Sequence, residues 1–349
     1  MNNRSIILNG KILTAEDLEH VQSSGLNSWQ KDIYSFLKNW FDDSDVIITH
    51  TSGSTGKPKE IPLSKVVMRN SARMTNAFFG LDNTKTALLC LPASYIAGKM
   101  MLVRAIVGGF NLITIEPKAN PFLNIETVID FTAITPYQLN YSAETLKTAS
   151  VKNIIVGGGH VNSKLEKAAE KISTSLYETY GMTETASHIA LRYFNGKNKS
   201  EYFTALEGVN IAQDERGCLI IHAPHLSENK LTTNDIVEIN EENQFKWLGR
   251  ADSVINSGGI KVFPEQIEKI LEEVIEPNYF IFGLPDDILG QKVVLFIETE
   301  NIDRQKLLQD ISQKLRKYEV PKEIFCIPKF VYSESNKILK AETLAKYQL

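Results

Sequence analysis

Short apolar runs alternate along this chain with longer stretches in which apolar residues recur every three or four positions. The runs at residues 45–49 and 86–91 have the length and continuity of buried strands. The stretches at residues 28–41 and 98–108 have helical periodicity, which places their apolar side chains on one face. Ser64 follows Pro62 and is a candidate N-cap for a further helix. The pattern therefore predicts strands connected by helices.

The later part of the chain changes this pattern twice. Up to residue 177 strands and helices still alternate, which favours a largely parallel sheet covered by helices. Between residues 217 and 248 short strands follow one another, broken by turn residues, and after residue 252 helices and strands are mixed. We therefore expect an α/β fold with a boundary at Asp252. The larger domain, residues 1–251, has a mainly parallel, helix-covered sheet plus a small β-rich part, and residues 252–349 form a small α+β domain.

Composition narrows the class of protein. The 349 residues are 43% hydrophobic and 23% charged, with a net charge of −4 and both signs interspersed, which predicts a soluble globular protein that does not bind nucleic acid. The N-terminus has no signal-peptide core, and the apolar runs are too short to span a membrane. Three separated cysteines, Cys90, Cys218 and Cys326, predict free thiols in a reducing cytoplasm and no structural zinc.

A loop rich in glycine, hydroxyl and lysine side chains follows the strand predicted at residues 45–49. Glycine permits the backbone to aim several N–H groups at one anion, while serine, threonine and lysine add donors and charge. Two residues separate Gly53 from Gly56, so the loop is not a Walker A motif, which has four. A plain surface turn is the alternative. The predicted phosphate-binding residues are Thr51, Ser52, Gly53, Ser54, Thr55, Gly56 and Lys57.

This loop and four later segments resemble, in the same order, the signatures of the acyl- and aryl-CoA synthetases. That adenylate-forming family also includes luciferases and the adenylation domains of peptide synthetases. The four segments are residues 177–185 (YETYGMTET), 233–235 (TND), 249–259 (GRADSVINSGG) and 335–340 (SNKILK). The resemblance implies an enzyme, an AMP-forming acid–thiol ligase. It would use ATP and Mg²⁺ to convert a carboxylic acid to an acyl-adenylate, and would then transfer the acyl group to CoA.

The resemblance also implies roles for individual residues. Lys337 is the catalytic lysine, with Lys340 as its competitor, and Thr183 contacts the α-phosphate. Glu184 is the magnesium ligand, and a solvated surface carboxylate is the alternative. Asparagine replaces the usual family glycine at positions 234 and 336. The residues implied to bind the nucleotide are Gly157, Gly158, Gly159, Tyr180, Gly181, Asp235 and Arg250.

Some of these roles have simpler alternatives, and others concern a moving domain. Tyr180 either stacks on the adenine or packs in the core, and the three glycines at 157–159 either line the adenine or form a turn. Asp252 matches the family's hinge, so residues 252–349 are expected to be mobile. Gly258 and Gly259 would then pass close to the pantetheine arm of CoA.

Two features of the sequence bear on which carboxylic acid would be the substrate. The chain begins about fifty residues before the phosphate loop, shorter than is common in the family, so we expect a shortened N-terminal portion. Residues 181–188 (GMTETASH) and 91–98 (LPASYIAG) resemble the o-succinylbenzoate–CoA ligase branch, which acts in menaquinone biosynthesis. Tyr95 stands where the family often has histidine.

That acid has a second carboxylate, which needs a buried cation or hydrogen-bond donor. The candidates are Lys99, Arg104, His160 and His188, of which Arg104 and His188 are preferred. The leading hypothesis is therefore an o-succinylbenzoate–CoA ligase whose partners are small molecules. The alternatives are another aryl- or acyl-CoA synthetase and a non-catalytic nucleotide-binding relative.

Overall fold

The computed structural model describes residues 4–22, 24–51, 59–227, 229–332 and 338–348. The strands of the first half are β1 (Ser5–Leu8), β2 (Lys11–Thr14), β3 (Val46–Thr51), β4 (Lys59–Ser64), β5 (Thr86–Leu89), β6 (Asn111–Thr114), β7 (Ile129–Ile134), β8 (Val151–Val156), β9 (Ser175–Gly181) and β10 (His188–Tyr193). The later strands are β11 (Phe203–Ala205), β12 (Asn210–Gln213), β13 (Cys218–His222), β14 (Leu231–Ile239), β15 (Gln244–Arg250), β16 (Ile255–Ser257), β17 (Ile260–Val262), β18 (Tyr279–Asp286), β19 (Gly290–Glu298) and β20 (Glu323–Ile327).

The helices lie between these strands and after them. They are α1 (Ala15–Glu19), α2 (Ser28–Phe41), α3 (Lys65–Phe79), α4 (Ile96–Gly108), α5 (Pro136–Ser142), α6 (Ser163–Ala169), α7 (Pro264–Leu271), α8 (Arg304–Lys314) and α9 (Lys340–Tyr347). Single 3₁₀ turns occur at Thr145–Lys147, Thr183–Thr185 and Gly196–Asn198. None of the helices in the described part of the chain has the length and hydrophobicity needed to cross a bilayer.

Thirteen of the described strands form one sheet in the order β12-β13-β14-β15-β11-β10-β9-β8-β7-β5-β6-β1-β2. The pairs from β1 to β9 in this order, through β6, β5, β7 and β8, are parallel. Parallel strands need crossover connections, and here helices supply many of them. The predicted α/β class is confirmed. The β-rich part, β11 to β15, is antiparallel and continues the same sheet through β10.

The first residues of the chain belong to this sheet. The hydrophobicity pattern identified only a helix in the first forty residues, and that reading was incomplete. β1 pairs in parallel with β6, and β2 pairs antiparallel with β1 at the sheet edge. Ile6 and Leu8 point inward and are buried, while their neighbours are more exposed. Four residues are too few for the alternation to be recognised among polar neighbours.

The helices over one face of the sheet pack as their periodicity predicts. α2 has the predicted bounds and buries Ile33, Phe36, Leu37 and Trp40. The predicted cap of α3 is confirmed, because the Ser64 hydroxyl accepts a hydrogen bond from the backbone N–H of Val66 at 3.2 Å. α4 is buried over most of its surface, including polar residues, and this burial places charged groups inside the protein.

Strands β16 to β20 form a second sheet, which lies entirely after residue 252. Helices α7 and α8 cover one of its faces through Ile267, Leu271 and Ile311. A cluster that includes Phe280, Phe296 and Phe330 covers the other. The part of the chain that contains this second sheet contacts the larger part through polar groups. One such contact is a 2.6 Å hydrogen bond from the Ser163 backbone N–H, at the start of α6, to Glu272 Oε2, just after α7.

Candidate active site

A cavity of about 440 Å³ opens at the carboxyl ends of β7, β8 and β9, against α4. Ligands of parallel α/β sheets characteristically bind at this edge. The lining is mostly apolar and includes Leu91, Ile96, Met100, Ala133, Ile134 and Ile155. Arg104 on α4 and the segment that leads into β10, with Ser187 and His188, add polar groups on one side of the cavity, and the hydroxyl side chains of Tyr95, Thr135 and Thr179 also line it.

A larger cavity, of about 640 Å³, lies among α2, α3 and the end of α4. Two of its cations already have carboxylate partners. Lys65 contacts Asp42 at 2.7 Å, and Arg4 contacts Asp43 at 3.3 Å. Arg69 and Arg73 also line this cavity and form no ion pair with a described residue, so position and not charge makes the smaller cavity, at the strand ends, the better candidate for a site that binds an acid.

Arg104 is a buried cation with an incomplete set of partners. Its side chain lies on α4, and the residue is 2% exposed. Nη2 donates to Ser187 Oγ at 2.8 Å, and Nη1 contacts only the Met101 sulfur, at 3.6 Å. Within the described residues Nε has no hydrogen-bond partner and no carboxylate pairs with the guanidinium. Burial lowers the pKa of Arg104, because the cation is removed from water without a counter-ion.

His188 lies beside Arg104, as the sequence hypothesis requires. Its Nδ1 is 3.3 Å from Ser187 Oγ, and its Nε2 is 3.3 Å from Thr75 Oγ1 on α3. Burial, and secondly the charge of Arg104, hold the pKa of His188 well below its usual range, so the imidazole is neutral near pH 7. Ser187 and Thr75 were not identified from the sequence. Ser187 adjoins a recognised motif, but no local pattern marks Thr75.

The other two candidates for the distal carboxylate lie elsewhere. Lys99 is buried on α4, and its Nζ donates to the backbone oxygen of Ile48 at 3.2 Å. His160 is half exposed, and its Nδ1 is 3.8 Å from Glu178 Oε1. Neither lines the cavity. The structure therefore brings together the two preferred residues and separates them from the other two.

The turn between β9 and β10 carries Thr183 and Glu184. Thr185 fixes this turn, since its hydroxyl accepts from the Met182 N–H at 3.1 Å and lies 2.7 Å from the Ser187 carbonyl oxygen. Ala186 has a φ of +60°, a conformation that non-glycine residues seldom adopt. The turn thus holds Ser187 in the cavity wall. Thr183 is partly exposed and Glu184 is exposed. Their implied contacts with the α-phosphate and magnesium stay predictions.

Glu184 suits a magnesium ion that arrives with a nucleotide. Its carboxylate forms no ion pair with any described residue, so it is available as a ligand. Mg²⁺ commonly takes one or two protein carboxylates and completes its shell with water and phosphate oxygens. The described residues contain no group of three or more histidine, cysteine, aspartate or glutamate side chains arranged for a metal. A single exposed carboxylate fits a magnesium ion that arrives bound to the nucleotide, and does not fit a cage made only of protein ligands.

Gly181 is the last residue of β9, and the backbone at Ser187 and His188 passes close to it. A Cβ atom at this position would lie 2.5 Å from both His188 Cα and the Ser187 carbonyl oxygen. We expect Gly181→Ala to lower the free energy of unfolding by about 2–3 kcal/mol and to displace the cavity wall, because backbone must move. Chemical denaturation measures this loss. Gly159→Ala is the control: its added Cβ would meet only Pro136 Cγ at 3.5 Å, and its stability should stay close to wild type. Equal stability of the two variants would contradict the prediction.

Asp235 and Arg250 face each other across β14 and β15. Arg250 Nη1 is 3.9 Å from Asp235 Oδ1, and Asp235 also accepts hydrogen bonds from Tyr180 (2.6 Å) and Trp247 (3.2 Å). Asp235 and Arg250, both implied to bind the nucleotide, are therefore adjacent. Burial, and then the neighbouring Asp235 carboxylate, raise the pKa of Tyr180, so its phenol remains a donor.

The Tyr180 ring contacts two phenylalanines edge-on, with centroid distances of 5.9 Å to Phe203 and 4.9 Å to Phe245. Core packing thus accounts for part of this ring's environment. Its stacking on adenine stays a prediction. Of the glycines after β8, Gly157 and Gly158 line the cavity, and a Cβ on Gly157 would meet Thr179 Oγ1 at 2.4 Å. Gly159 lies against Pro136 instead.

Asp252, the predicted hinge, lies beside Arg250. The Asp252 carboxylate accepts hydrogen bonds from Arg250 Nε at 3.2 Å and Nη2 at 3.1 Å. Gly258 and Gly259 form the turn between β16 and β17, with φ values of +59° and +81° that require glycine-like freedom. Their roles as hinge and CoA contacts stay predictions. Outside the described residues lie Ser52, Gly53, Ser54, Thr55, Gly56, Lys57 and Lys337, while the backbone of Thr51 ends β3.

A parallel sheet with a cavity at its carboxyl edge places the chain among α/β proteins that bind ligands at this edge. Residues 7–212 match the family model described as AMP-binding enzyme. The chain belongs to the AMP-binding enzyme family, and the recognition made from its motifs is confirmed.

Similar proteins include curated and solved members of this family. The chain is 25% identical to the 2-succinylbenzoate–CoA ligase of Lactococcus lactis subsp. lactis (strain IL1403), over 86% of this chain and 71% of that protein. It is 36% identical to an acyl-CoA synthetase (AMP-forming)/AMP-acid ligase II-like protein from Dyadobacter fermentans, with a TM-score of 0.63, over 93% of this chain and 96% of the other. An o-succinylbenzoate CoA synthetase structure from Bacillus subtilis shares the fold at 20% identity, with a TM-score of 0.72, over 84% of this chain and 68% of that one.

Proposed function

We propose that this enzyme is an AMP-forming acid–thiol ligase that converts 2-succinylbenzoate (o-succinylbenzoate) to its CoA thioester through an acyl-adenylate. The observation that carries the choice of acid is Arg104. This cation is buried at the wall of an apolar cavity, and within the described residues it lacks a carboxylate partner. An unpaired buried charge is costly, so a substrate that brings its own anion to this position gains affinity.

The shape of the cavity suits an aromatic acid with two carboxylates. Apolar side chains surround its middle, where a benzene ring would be buried. Arg104, which donates to Ser187 at the cavity wall, would receive the distal carboxylate. Gly157, Gly158 and Thr179 line another part of the wall, and Thr179 directly precedes Tyr180, which binds Asp235. The reacting carboxylate would therefore face the nucleotide side.

The proposed chemistry requires two anions to approach each other. The acid's carboxylate attacks the α-phosphate of ATP, and pyrophosphate leaves. Residues 51–57, Thr183 and Lys337 would neutralise the phosphates and the developing charge. Glu184 would hold Mg²⁺, which supplies further charge neutralisation when bound. The CoA thiolate would then displace AMP from the acyl-adenylate, with Gly258 and Gly259 beside the pantetheine arm.

Two further features belong to the same proposal. We propose that residues 1–251 bind ATP and the acid, and that residues 252–349 form a mobile unit that carries Lys337. The separate five-stranded sheet after residue 252, and the polar contact of α6 with the end of α7, support this division. We also propose a place in menaquinone biosynthesis, as the motif resemblance implies for this acid, and a cytoplasmic location.

Pyrophosphate release with a panel of acids tests the function. The panel contains 2-succinylbenzoate, benzoate, a linear dicarboxylate and a fatty acid, each with ATP and Mg²⁺, with and without CoA. We expect the highest kcat/KM for 2-succinylbenzoate. Release only with another acid would support the broader class, which the Dyadobacter relative's description also fits. Binding of ATP without release for any acid would point to a non-catalytic protein.

A further inference from the structure

We propose that Thr75 is a positioning residue for acid binding: through His188 it orients the Ser187 hydroxyl, whose oxygen accepts the hydrogen bond that holds Arg104 at the distal end of the acid pocket. This inference rests on the proposed function for the identity of the acid. The hydrogen-bond arrangement on which it depends can be tested separately.

Four side chains form a continuous series of polar contacts behind the cavity wall. Arg104 Nη2 is 2.8 Å from Ser187 Oγ, which is 3.3 Å from His188 Nδ1. His188 Nε2 is 3.3 Å from Thr75 Oγ1, and that hydroxyl donates to the Ser71 backbone oxygen at 3.2 Å. Thr75 is fully buried, so water does not compete for its hydroxyl.

Proton counting fixes the direction of each bond. Arg104 only donates, so Ser187 Oγ accepts from it. The Thr75 hydroxyl has a single proton, which it donates to the Ser71 carbonyl oxygen, so its contact with His188 Nε2 requires the imidazole proton on Nε2. With the proton on Nε2, Ser187 donates to Nδ1, His188 donates to Thr75, and Thr75 donates to the Ser71 carbonyl. Every proton then has an acceptor, and the structure favours this tautomer.

The tautomer determines what a ligand meets in the pocket. The Ser187 proton is directed toward His188, and one lone pair of the Ser187 oxygen accepts from Arg104. Arg104 is thereby held at the cavity wall, where its guanidinium can pair with a carboxylate of the ligand. A carboxylate gains a charge-assisted hydrogen bond from this cation, and a neutral amide or hydroxyl at the same place does not.

Thr75→Val tests the role because valine keeps the branched shape and removes the hydroxyl. We expect the KM for 2-succinylbenzoate to rise about tenfold, as expected for one lost hydrogen bond, with the KM for ATP unchanged. Nitrogen NMR of His188 should show the Nε2–H tautomer in wild type and its loss in the variant. Thr75→Ser keeps the hydroxyl and should restore both the KM and the tautomer.

Thr174→Val is the matched control. Thr174 is 2% exposed and its hydroxyl also donates to a backbone oxygen, that of Val151 at 2.8 Å, but it does not line the acid cavity. Its acid KM should stay at the wild-type value. An Nδ1–H tautomer in wild type would overturn the inference, as would an unchanged KM in Thr75→Val or an equal rise in Thr174→Val. If wild type does not turn over 2-succinylbenzoate, the proposed function fails instead, and the wild-type tautomer still tests the hydrogen-bond series.

Discussion

Arg104→Met should lower kcat/KM for 2-succinylbenzoate at least about a hundredfold, because removing one partner of a buried charge pair costs several kcal/mol. Methionine keeps the length and much of the volume of arginine, so the cavity wall stays filled. The KM for ATP should change little, since Arg104 lines the acid cavity and does not contact Asp235 or Arg250. Steady-state kinetics with each substrate varied in turn measure both effects.

The same substitution should leave the free energy of unfolding unchanged or raise it. Arg104 has no carboxylate partner among the described residues, so its replacement removes a desolvated charge and strands no opposite charge. Such a gain in stability with a loss of activity distinguishes a binding residue from a structural one.

Arg192 provides the matched comparison. It is also buried, but its Nε lies 2.8 Å from Glu178 Oε2 and its Nη2 lies 2.7 Å from Glu166 Oε1. Arg192→Met should therefore destabilise the protein by about 3–5 kcal/mol, since the buried Glu178 loses its closest cation and Glu166 keeps only Lys199, at 3.1 Å, and the more distant Lys269. Similar stability losses in both variants, or an unchanged acid kcat/KM in Arg104→Met, would contradict the role given to Arg104.

Lys337→Ala should reduce the rate of adenylate formation by about a hundredfold to a thousandfold, as expected when a cation that stabilises transition-state charge is removed. Thioester formation from supplied acyl-adenylate and CoA should continue at a rate close to wild type. Pyrophosphate release reports the first half-reaction, and thioester formation in a single turnover reports the second. If both rates stay at wild-type values, Lys337 is not the catalytic lysine.

Lys340→Ala is the control, because the contacts of Lys340 are structural. Lys340 Nζ is 2.8 Å from Glu268 Oε1 and lies 5.6 Å from the centroid of the Phe280 ring. These contacts tie Lys340 to α7 and to the apolar core of the second sheet. Its replacement should lower stability modestly, by about 1 kcal/mol, and leave adenylate formation nearly unchanged. A larger loss of adenylate formation in this variant than in Lys337→Ala would reverse the assignment.

The sequence predicted those parts of the fold that depend on local patterns. Helix α2 has the predicted bounds because its apolar residues recur at helical spacing, and the Ser64 cap needs only neighbouring residues. The parallel class followed from the alternation of strands and helices. Strands β1 and β2, at one end of the sheet, were missed. β1 is stabilised by pairing with β6, about a hundred residues later, and β2 pairs in turn with β1.

The candidate site was likewise predicted in part, because some of its residues belong to local motifs and others are brought in by distant contacts. Arg104 and His188 were found through motif resemblance. They are 84 positions apart in sequence, and the structure brings both of them to the hydroxyl of Ser187. Thr75 is separated from His188 by 113 residues and occurs in an ordinary helix, so only the packing of α3 against β10 identifies it. The contact of Tyr180 with Asp235 likewise arises from strand packing and not from spacing.

Analysis of the products formed from ATP, CoA and 2-succinylbenzoate tests the central claim most directly. The wild-type protein is incubated with the three substrates and Mg²⁺, and nucleotides and thioesters are quantified by mass spectrometry. We predict equal amounts of AMP and 2-succinylbenzoyl-CoA, with neither formed when the acid is omitted. ADP as the nucleotide product, or consumption of ATP that does not depend on the acid, would contradict the assignment.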